Sequence, residues 1–148
     1  MVELPDDGEW DMLVFDVDGT ILDADAMIPE TITLVRELER KGMTVSLASG
    51  RTLPNLTPLH QSMAISGFIV GENGGIVWDS HQGHPIRALA DGSRTREAAQ
   101  WLGTQIEGLN PEGIESNRWR ETEWCLIDIG DWEQVRDAIA GSERSDIS

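Results

Sequence analysis

Met12-Leu13-Val14-Phe15-Asp16-Val17-Asp18-Gly19-Thr20 is the stretch from which the fold is read. An apolar run too short for a helix passes directly into a polar turn, the pattern of a buried parallel strand whose carboxyl end opens into a loop. Downstream, Ile32, Val35 and Leu38, flanked by Thr31 and Leu34, repeat at helical spacing between Pro29 and Arg40, and Gly42 stands where that helix should stop. Met43 to Ala48 reads as a second strand, ending in Ser49-Gly50-Arg51. Leu53 to Ile65 reads as a second helix, with Pro54 and Pro58 disturbing its first turns. Phe68-Ile69-Val70 is a third strand running into Gly71-Glu72-Asn73-Gly74-Gly75, and Ile76-Val77-Trp78 turns back as a hairpin. This alternation predicts an α/β fold, a doubly wound parallel sheet whose ligands bind beyond the carboxyl ends of the strands. All three polar motifs fall at such ends.

After Asp79 the pattern changes. His81 to Pro85 and Asp91-Gly92-Ser93 read as loops, and Arg94 to Glu107 as an amphipathic helix with Ala98, Leu102 and Ile106 on one face. Trp124 to Ile129 is predicted as a strand. Asp131 should cap a last helix, with Gln134 at the reciprocal capping position and Trp132, Val135 and Ile139 sharing a face. The expected division is 1–80 for the sheet unit and 81–148 for a distinct α+β segment.

Composition narrows the function. The chain has 27 Asp+Glu against 11 Lys+Arg, a formal charge of −16, spread over both halves. A polyanion of this strength repels nucleic-acid phosphates and anionic lipid, so neither nucleic acid nor membrane is expected as a partner. Only one of the basic residues, Lys41, is a lysine. A lysine-poor, carboxylate-rich surface repels itself in dilute buffer and is relieved by screening, which predicts a protein of a salt-loaded cytoplasm. A single Cys, Cys125, excludes an internal disulfide framework, and the start of the chain is acidic, unlike a signal peptide.

The chemistry concentrates in two turns. Asp16 and Asp18 alternate at a strand end, so both carboxylates can face one pocket where a divalent cation and an anionic substrate meet. Asp16 is the candidate nucleophile toward an electrophile such as phosphorus, with a metal offsetting like-charge repulsion. Asp18 is the candidate acid toward the leaving oxygen and base toward incoming water. Gly19 permits close backbone approach, so that amide N–H groups face phosphate oxygens, and Thr20 adds a hydroxyl. Ser49 offers a hydroxyl, Ser49 and Gly50 backbone donors, and Arg51 a guanidinium suited to phosphate.

Asp16-Val17-Asp18-Gly19-Thr20 resembles motif I, and Ser49-Gly50-Arg51 motif II, of the haloacid dehalogenase superfamily of aspartate-nucleophile phosphatases. More narrowly, Lys41 to Gly50, Gly71 to Ile76 and Asn117-Arg118-Trp119-Arg120-Glu121 are similar to stretches of archaeal phosphoglycolate phosphatases. The resemblance implies a Rossmann-like core with an inserted α+β cap and hydrolysis of 2-phosphoglycolate through an aspartyl phosphate on Asp16. It also implies Mg²⁺ held by the Asp16 carboxylate and the Asp18 backbone carbonyl, and a structural or site-lining role for Glu72 and Asn73. The superfamily's motif III Lys and motif IV acidic pair have no counterpart here, since Lys41 ends the first helix. Core and cap are therefore both expected to be incomplete, with an open sheet edge, weak Mg²⁺ binding and impaired turnover. The alternatives are a non-catalytic truncated remnant and a sugar-phosphate phosphatase of the same superfamily.

Arg118 and Arg120, two apart around Trp119, are candidates to project from one side of a strand and read a substrate carboxylate from the cap. His81 and His84 have a metal-like separation with no further ligand nearby, and read as loop residues. Trp10, Trp78, Trp101, Trp124 and Trp132 are expected as core and interface anchors, and Cys125 as a small buried hydrophobe. Oligomeric state is not legible in the sequence.

Overall fold

The structure, a computed structural model, describes residues 10–24, 26–81, 86–127, 130 and 132–142. The chain divides into two compact units, the first running through Leu89 and the second beginning at Ala90.

The first unit is built on a five-stranded sheet. β1 (Met12–Asp16) leads through a two-stranded ribbon, β2 (Leu22–Asp23) and β3 (Ala26–Met27), into α1 (Pro29–Arg40). β4 (Thr44–Ala48), α2 (Leu53–Ser62) and β5 (Phe68–Gly71) follow, then a 3₁₀ turn at Glu72–Gly74, and β6 (Ile76–Asp79) returns antiparallel. β7 (Ile86–Ala88) pairs antiparallel with β6, so the sheet runs on past the boundary expected near residue 80. The strand order is β1-β4-β5-β6-β7, with β1, β4 and β5 parallel, which is the predicted α/β alternation.

Helix lengths follow from their caps. α1 ends in a Schellman turn: Met43 N–H donates to Leu38 O and Gly42 N–H to Glu39 O, with Gly42 at φ +87°. α2 ends the same way, with Ile65 N–H on His60 O and Ala64 N–H on Gln61 O, but the left-handed position is Ala64, at φ +55°. That turn stops α2 at Ser62, short of the Ile65 expected from periodicity. The core under the sheet gathers Val17, Ile21, Val35, Leu38, Val45, Leu47, Leu56, Met63 and Ile69.

One expectation about this sheet is corrected. β1 is not buried on both faces: Val14 is 54% exposed and Met12 44%, while the alternate residues Leu13 and Phe15 pack on the core, so the strand is covered on one face among the described residues. Among the described residues β1, the strand that carries Asp16, stands at one end of the strand order.

In the second unit α3 (Gly92–Gln105) starts at Gly92, where the sequence suggested a loop, because the Asp91 carboxylate accepts the Ser93 N–H at 2.9 Å. Ala98, Leu102 and Ile106 are buried as expected, and Val135 and Ile139 of α4 (Trp132–Ala140) pack on the same cluster. The predicted strand at Trp124 to Ile129 is absent over its described part, Trp124 to Ile127, and a 3₁₀ turn occupies Glu115–Trp119. The reason is a side chain. Asn117 accepts from Cys125 N–H at 3.0 Å and donates to Cys125 O at 2.8 Å, satisfying the backbone groups a neighbouring strand would have paired. Trp78 is buried against His60, Trp101 and Trp124 are half-buried, and Trp10 and Trp132 are exposed, against the expectation of anchors throughout. Cys125 is half-buried. The Asp131 cap, His84, and the strand positions Asp128 and Ile129 lie outside the described residues. No helix among the described residues is long and apolar enough to cross a membrane.

Candidate active site

The register of the parallel strands assembles the site. Asp16 of β1 stands opposite Ala48 of β4, and Ala48 opposite Val70 of β5, so the turns after all three strands begin at the same level. Asp16 and Asp18 are exposed while Val17 between them is fully buried, so the buried side chain anchors the turn and leaves the carboxylates outside. The turn closes tightly: Ile21 and Leu22 both donate to Val17 O at 2.9 Å. Gly19 N–H donates to Leu22 O at 2.7 Å and Thr20 N–H to Val17 O at 3.3 Å. These amides are consumed inside the turn, which corrects the expectation that they face a phosphate. What Gly19 contributes is its φ of +79°, and Thr20 keeps an exposed hydroxyl.

Across from this turn, Arg51 forks onto Asp18, with Nη2 2.7 Å from Oδ1 and Nε 3.1 Å from both carboxylate oxygens. The bonded guanidinium holds the Asp18 carboxyl below its ordinary value, outweighing the opposing effect of desolvation, and Ser49 adds in the same direction. Ser49 is buried, and its hydroxyl oxygen accepts the Arg51 N–H at 3.2 Å. Asp16, Asp18, Thr20, Ser49, Gly50 and Arg51 therefore belong to one pair of adjoining turns. Lys41, the chain's only lysine, sits at the end of α1 with its amine 3.8 Å from Glu37.

The turn after β5 is the part that the residues alone left undefined. Glu72 and Asn73 have φ of +51° and +52°, Glu72 is buried, and Asn73 is exposed. Glu72 N–H donates to Arg51 O at 3.0 Å and Asn73 N–H to Ser49 O at 3.2 Å, tying this turn to the Ser49-Gly50-Arg51 turn. The Asn-Gly pair at Asn73-Gly74 is the sequence signal for such left-handed backbone.

Arg118 and Arg120 do not share a strand face. Arg118 lies on the 3₁₀ turn, its side chain 61% exposed and paired with Glu115, with its guanidinium over Trp119. Arg120 follows that turn, 6% exposed and bonded to Glu123. A 3₁₀ turn rotates successive side chains by about a third of a circle, so positions two apart diverge.

Oxygen donors of the kind Mg²⁺ takes are present in Asp16 and Asp18. No group of three or more His, Cys, Asp or Glu able to hold a metal occurs among the described residues. Such a donor set suits an ion that keeps several waters and shares a substrate phosphate, not one caged by protein.

A family model for haloacid dehalogenase-like hydrolases matches residues 13–106, from β1 through α3. The chain belongs to the haloacid dehalogenase-like hydrolases. Among relatives in this family, a phosphoglycolate phosphatase of Thermoplasma acidophilum is 35% identical over 84% of this chain and 54% of its own length. A 5-amino-6-(5-phospho-D-ribitylamino)uracil phosphatase of Bacillus subtilis is 30% identical over 77% of this chain and 51% of its own. The chain spans about half the length of these relatives. A crystal structure of a Thermoplasma acidophilum protein superposes with a TM-score of 0.78 at 30% identity, over 88% of this chain and 57% of that one. The Rossmann-like fold expected from the resemblance is therefore the fold of this haloacid dehalogenase-like chain.

Proposed function

We propose that this haloacid dehalogenase-like chain acts on a phosphoric monoester, with 2-phosphoglycolate as the preferred substrate, through a phosphorylated Asp16. The observation that carries the reading is the register that puts the exposed Asp16 and Asp18 beside Ser49 and Arg51 at one sheet edge. An Asp16 carboxylate oxygen attacks phosphorus, the P–O bond to the organic group breaks, and the departing oxygen takes a proton from Asp18, which gains that proton from water once the phosphate has drawn Arg51 away. Asp18 then removes a proton from water, whose oxygen attacks the aspartyl phosphate and releases inorganic phosphate and free Asp16. The Thr20 and Ser49 hydroxyls and the Arg51 guanidinium hold the phosphate oxygens, and an entering phosphate draws Arg51 away from Asp18. The Asp16 carboxylate and Asp18 main-chain carbonyl would hold Mg²⁺, which supplies charge neutralisation when bound. With Arg51 as the cation of these turns, turnover by this chain alone is expected to be slow.

The high negative charge supports a salt-loaded cytoplasm as the setting. The test is an assay in molar KCl with Mg²⁺ and 2-phosphoglycolate, beside Asp16→Asn. Turnover that disappears with Asp16→Asn supports the reading, and turnover that survives it overturns the nucleophile. The name of the Bacillus subtilis relative, a phosphatase of a phosphoribitylamino compound, favours a second reading, a phosphorylated sugar-like substrate. A higher kcat/KM on sugar and sugar-alcohol phosphates than on phosphoglycolate would select it.

A further inference from the structure

α1 and α2 both end at the edge of the sheet opposite Asp16 and Ser49, since each runs back from the carboxyl end of one parallel strand to the start of the next. Where they end lies a cavity of about 640 Å³, a volume typical of small-molecule sites. Ile32, Arg36 and Arg40 of α1, at four-residue spacing and so on one helix face, line it together with Met63 and Ala64 at the close of α2.

The charge of this lining runs against the rest of the chain. Three of the four basic residues before Gly75 are Arg36, Arg40 and Lys41, in the second half of α1 or directly after it. Arg51, Arg118, Arg120 and Arg136 each pair with a carboxylate. Among the described residues Arg36 and Arg40 do not: Arg40 Nε donates to Arg36 O at 3.2 Å, and the neighbouring Glu37 is paired with Lys41. Glu39, the carboxylate of the lining, spends Oε1 on the strands, accepting Val45 N–H at 3.0 Å and Ser66 N–H at 2.8 Å. The turns that close the two helices already pair the carbonyls of Leu38, Glu39, His60 and Gln61, which removes acceptors that would oppose an anion there. Ala64 supplies part of the apolar wall. It takes a left-handed position at φ +55° where Gly would carry less strain, so a methyl group is kept on the cavity at a backbone cost.

Guanidinium groups beside an apolar wall suit a ligand with an apolar body and an anionic head. We propose that this cavity is a ligand site of its own, taking an organic anion whose carboxylate or phosphate head is held by Arg36 and Arg40 at the edge of the sheet opposite Asp16. The inference stands apart from the phosphatase reading and uses none of its residues.

The experiment titrates the chain in molar KCl with naphthoate and with its uncharged counterpart naphthamide, read by amide NMR shifts. Naphthoate should move the amides of Arg36 to Gly42 and Ala64 to Ser66 before any others, and should bind about tenfold more tightly than naphthamide, the order expected for a charge-assisted contact. Naphthyl phosphate, added to the Asp16→Asn chain so that it is not cleaved, compares the heads: tighter binding of either head than of the amide at this site supports the inference, and the tighter of the two names the head. Arg36→Gln combined with Arg40→Gln, both at exposed helix positions, should erase the preference for the acid while leaving the melting temperature near that of the parent. Equal binding of naphthoate and naphthamide by the parent overturns the inference, as does a preference that survives the double variant. Shifts led by the exposed Met12, Val14 and Phe68 overturn it as well, and shifts led by the Asp16 and Ser49 turns overturn it while leaving the phosphatase reading in place. Should the double variant fail to fold, the two probes on the parent chain still decide.

Discussion

Arg51 and Asp18 form a two-nitrogen fork across adjoining turns, closest at 2.7 Å between Nη2 and Oδ1. The pair joins the residue proposed to move protons to the residue proposed to bind phosphate, so each competes for the other with the substrate. Arg51→Gln should weaken inorganic phosphate binding about tenfold, the order expected for a lost charge-assisted bond. Because the Asp18 side chain is 56% exposed, the same change should cost at most about 1 kcal/mol of stability. Phosphate titration and chemical melts of the two proteins would check both numbers.

Ala64 occupies the left-handed position closing α2, where α1 uses Gly42. An L-residue with a Cβ pays about 1 kcal/mol there. Ala64→Gly should therefore raise stability by about 1 kcal/mol, read as a shifted urea midpoint at constant slope.

Gly67 sits where β5 begins, and a Cβ there would run into Val45 O and Ser46 Oγ. Phe68 N–H donates to that Ser46 hydroxyl at 3.0 Å, so the neighbour cannot move freely. Gly67→Ala should destabilise the first unit by about 1–3 kcal/mol, measured by denaturant unfolding.

Asp91 caps α3 with its carboxylate on the Ser93 N–H, and that backbone bond, with the Ser93 side chain adding, holds its carboxyl below the ordinary 3.8. A depressed folded value means the contribution is fully present above 3.8 and is lost as pH falls through the folded value. Helix α3 should loosen in that acid window. Asp91→Asn, which caps without ionising, should make amide signals of the first turn pH-independent there.

The charge of −16 predicts a melting temperature that climbs as KCl rises from dilute to molar, since screening removes repulsion from the folded surface. A flat or falling profile would contradict the salt-adapted reading.

The parts that were legible in the sequence are those governed by periodicity and strand-end chemistry. Ile32, Val35 and Leu38 located α1, the run at Met12 to Phe15 located β1, and the Asp16 and Ser49 turns met because parallel strands of matched length end together. What escaped depended on partners distant in sequence. Leu22 and Met27 pair in a ribbon too short to alternate visibly, and β7 joins the sheet only because β6 offers its edge. Where a strand was expected at Trp124, the Cys125 backbone groups bond instead to the Asn117 side chain and to the Ile114 N–H. Arg118 and Arg120 parted because a 3₁₀ turn replaced the strand that would have aligned them. Gly19 reads in the sequence as a residue that lets amides of the turn approach a phosphate, yet its own amide closes the turn.

The position of β1 gives the two halves of the site different mechanics. Ser49 extends from β4, whose amides are laddered to strands on either side, whereas Asp16 extends from a strand that, among the described residues, has a ladder on one side. Amide hydrogen exchange should accordingly be fastest, among the parallel strands, in the one that carries the proposed nucleophile. Bound phosphate would then slow exchange at Asp16 far more than at Ser49, the ordering cost of binding falling on the carboxylate side of the cleft.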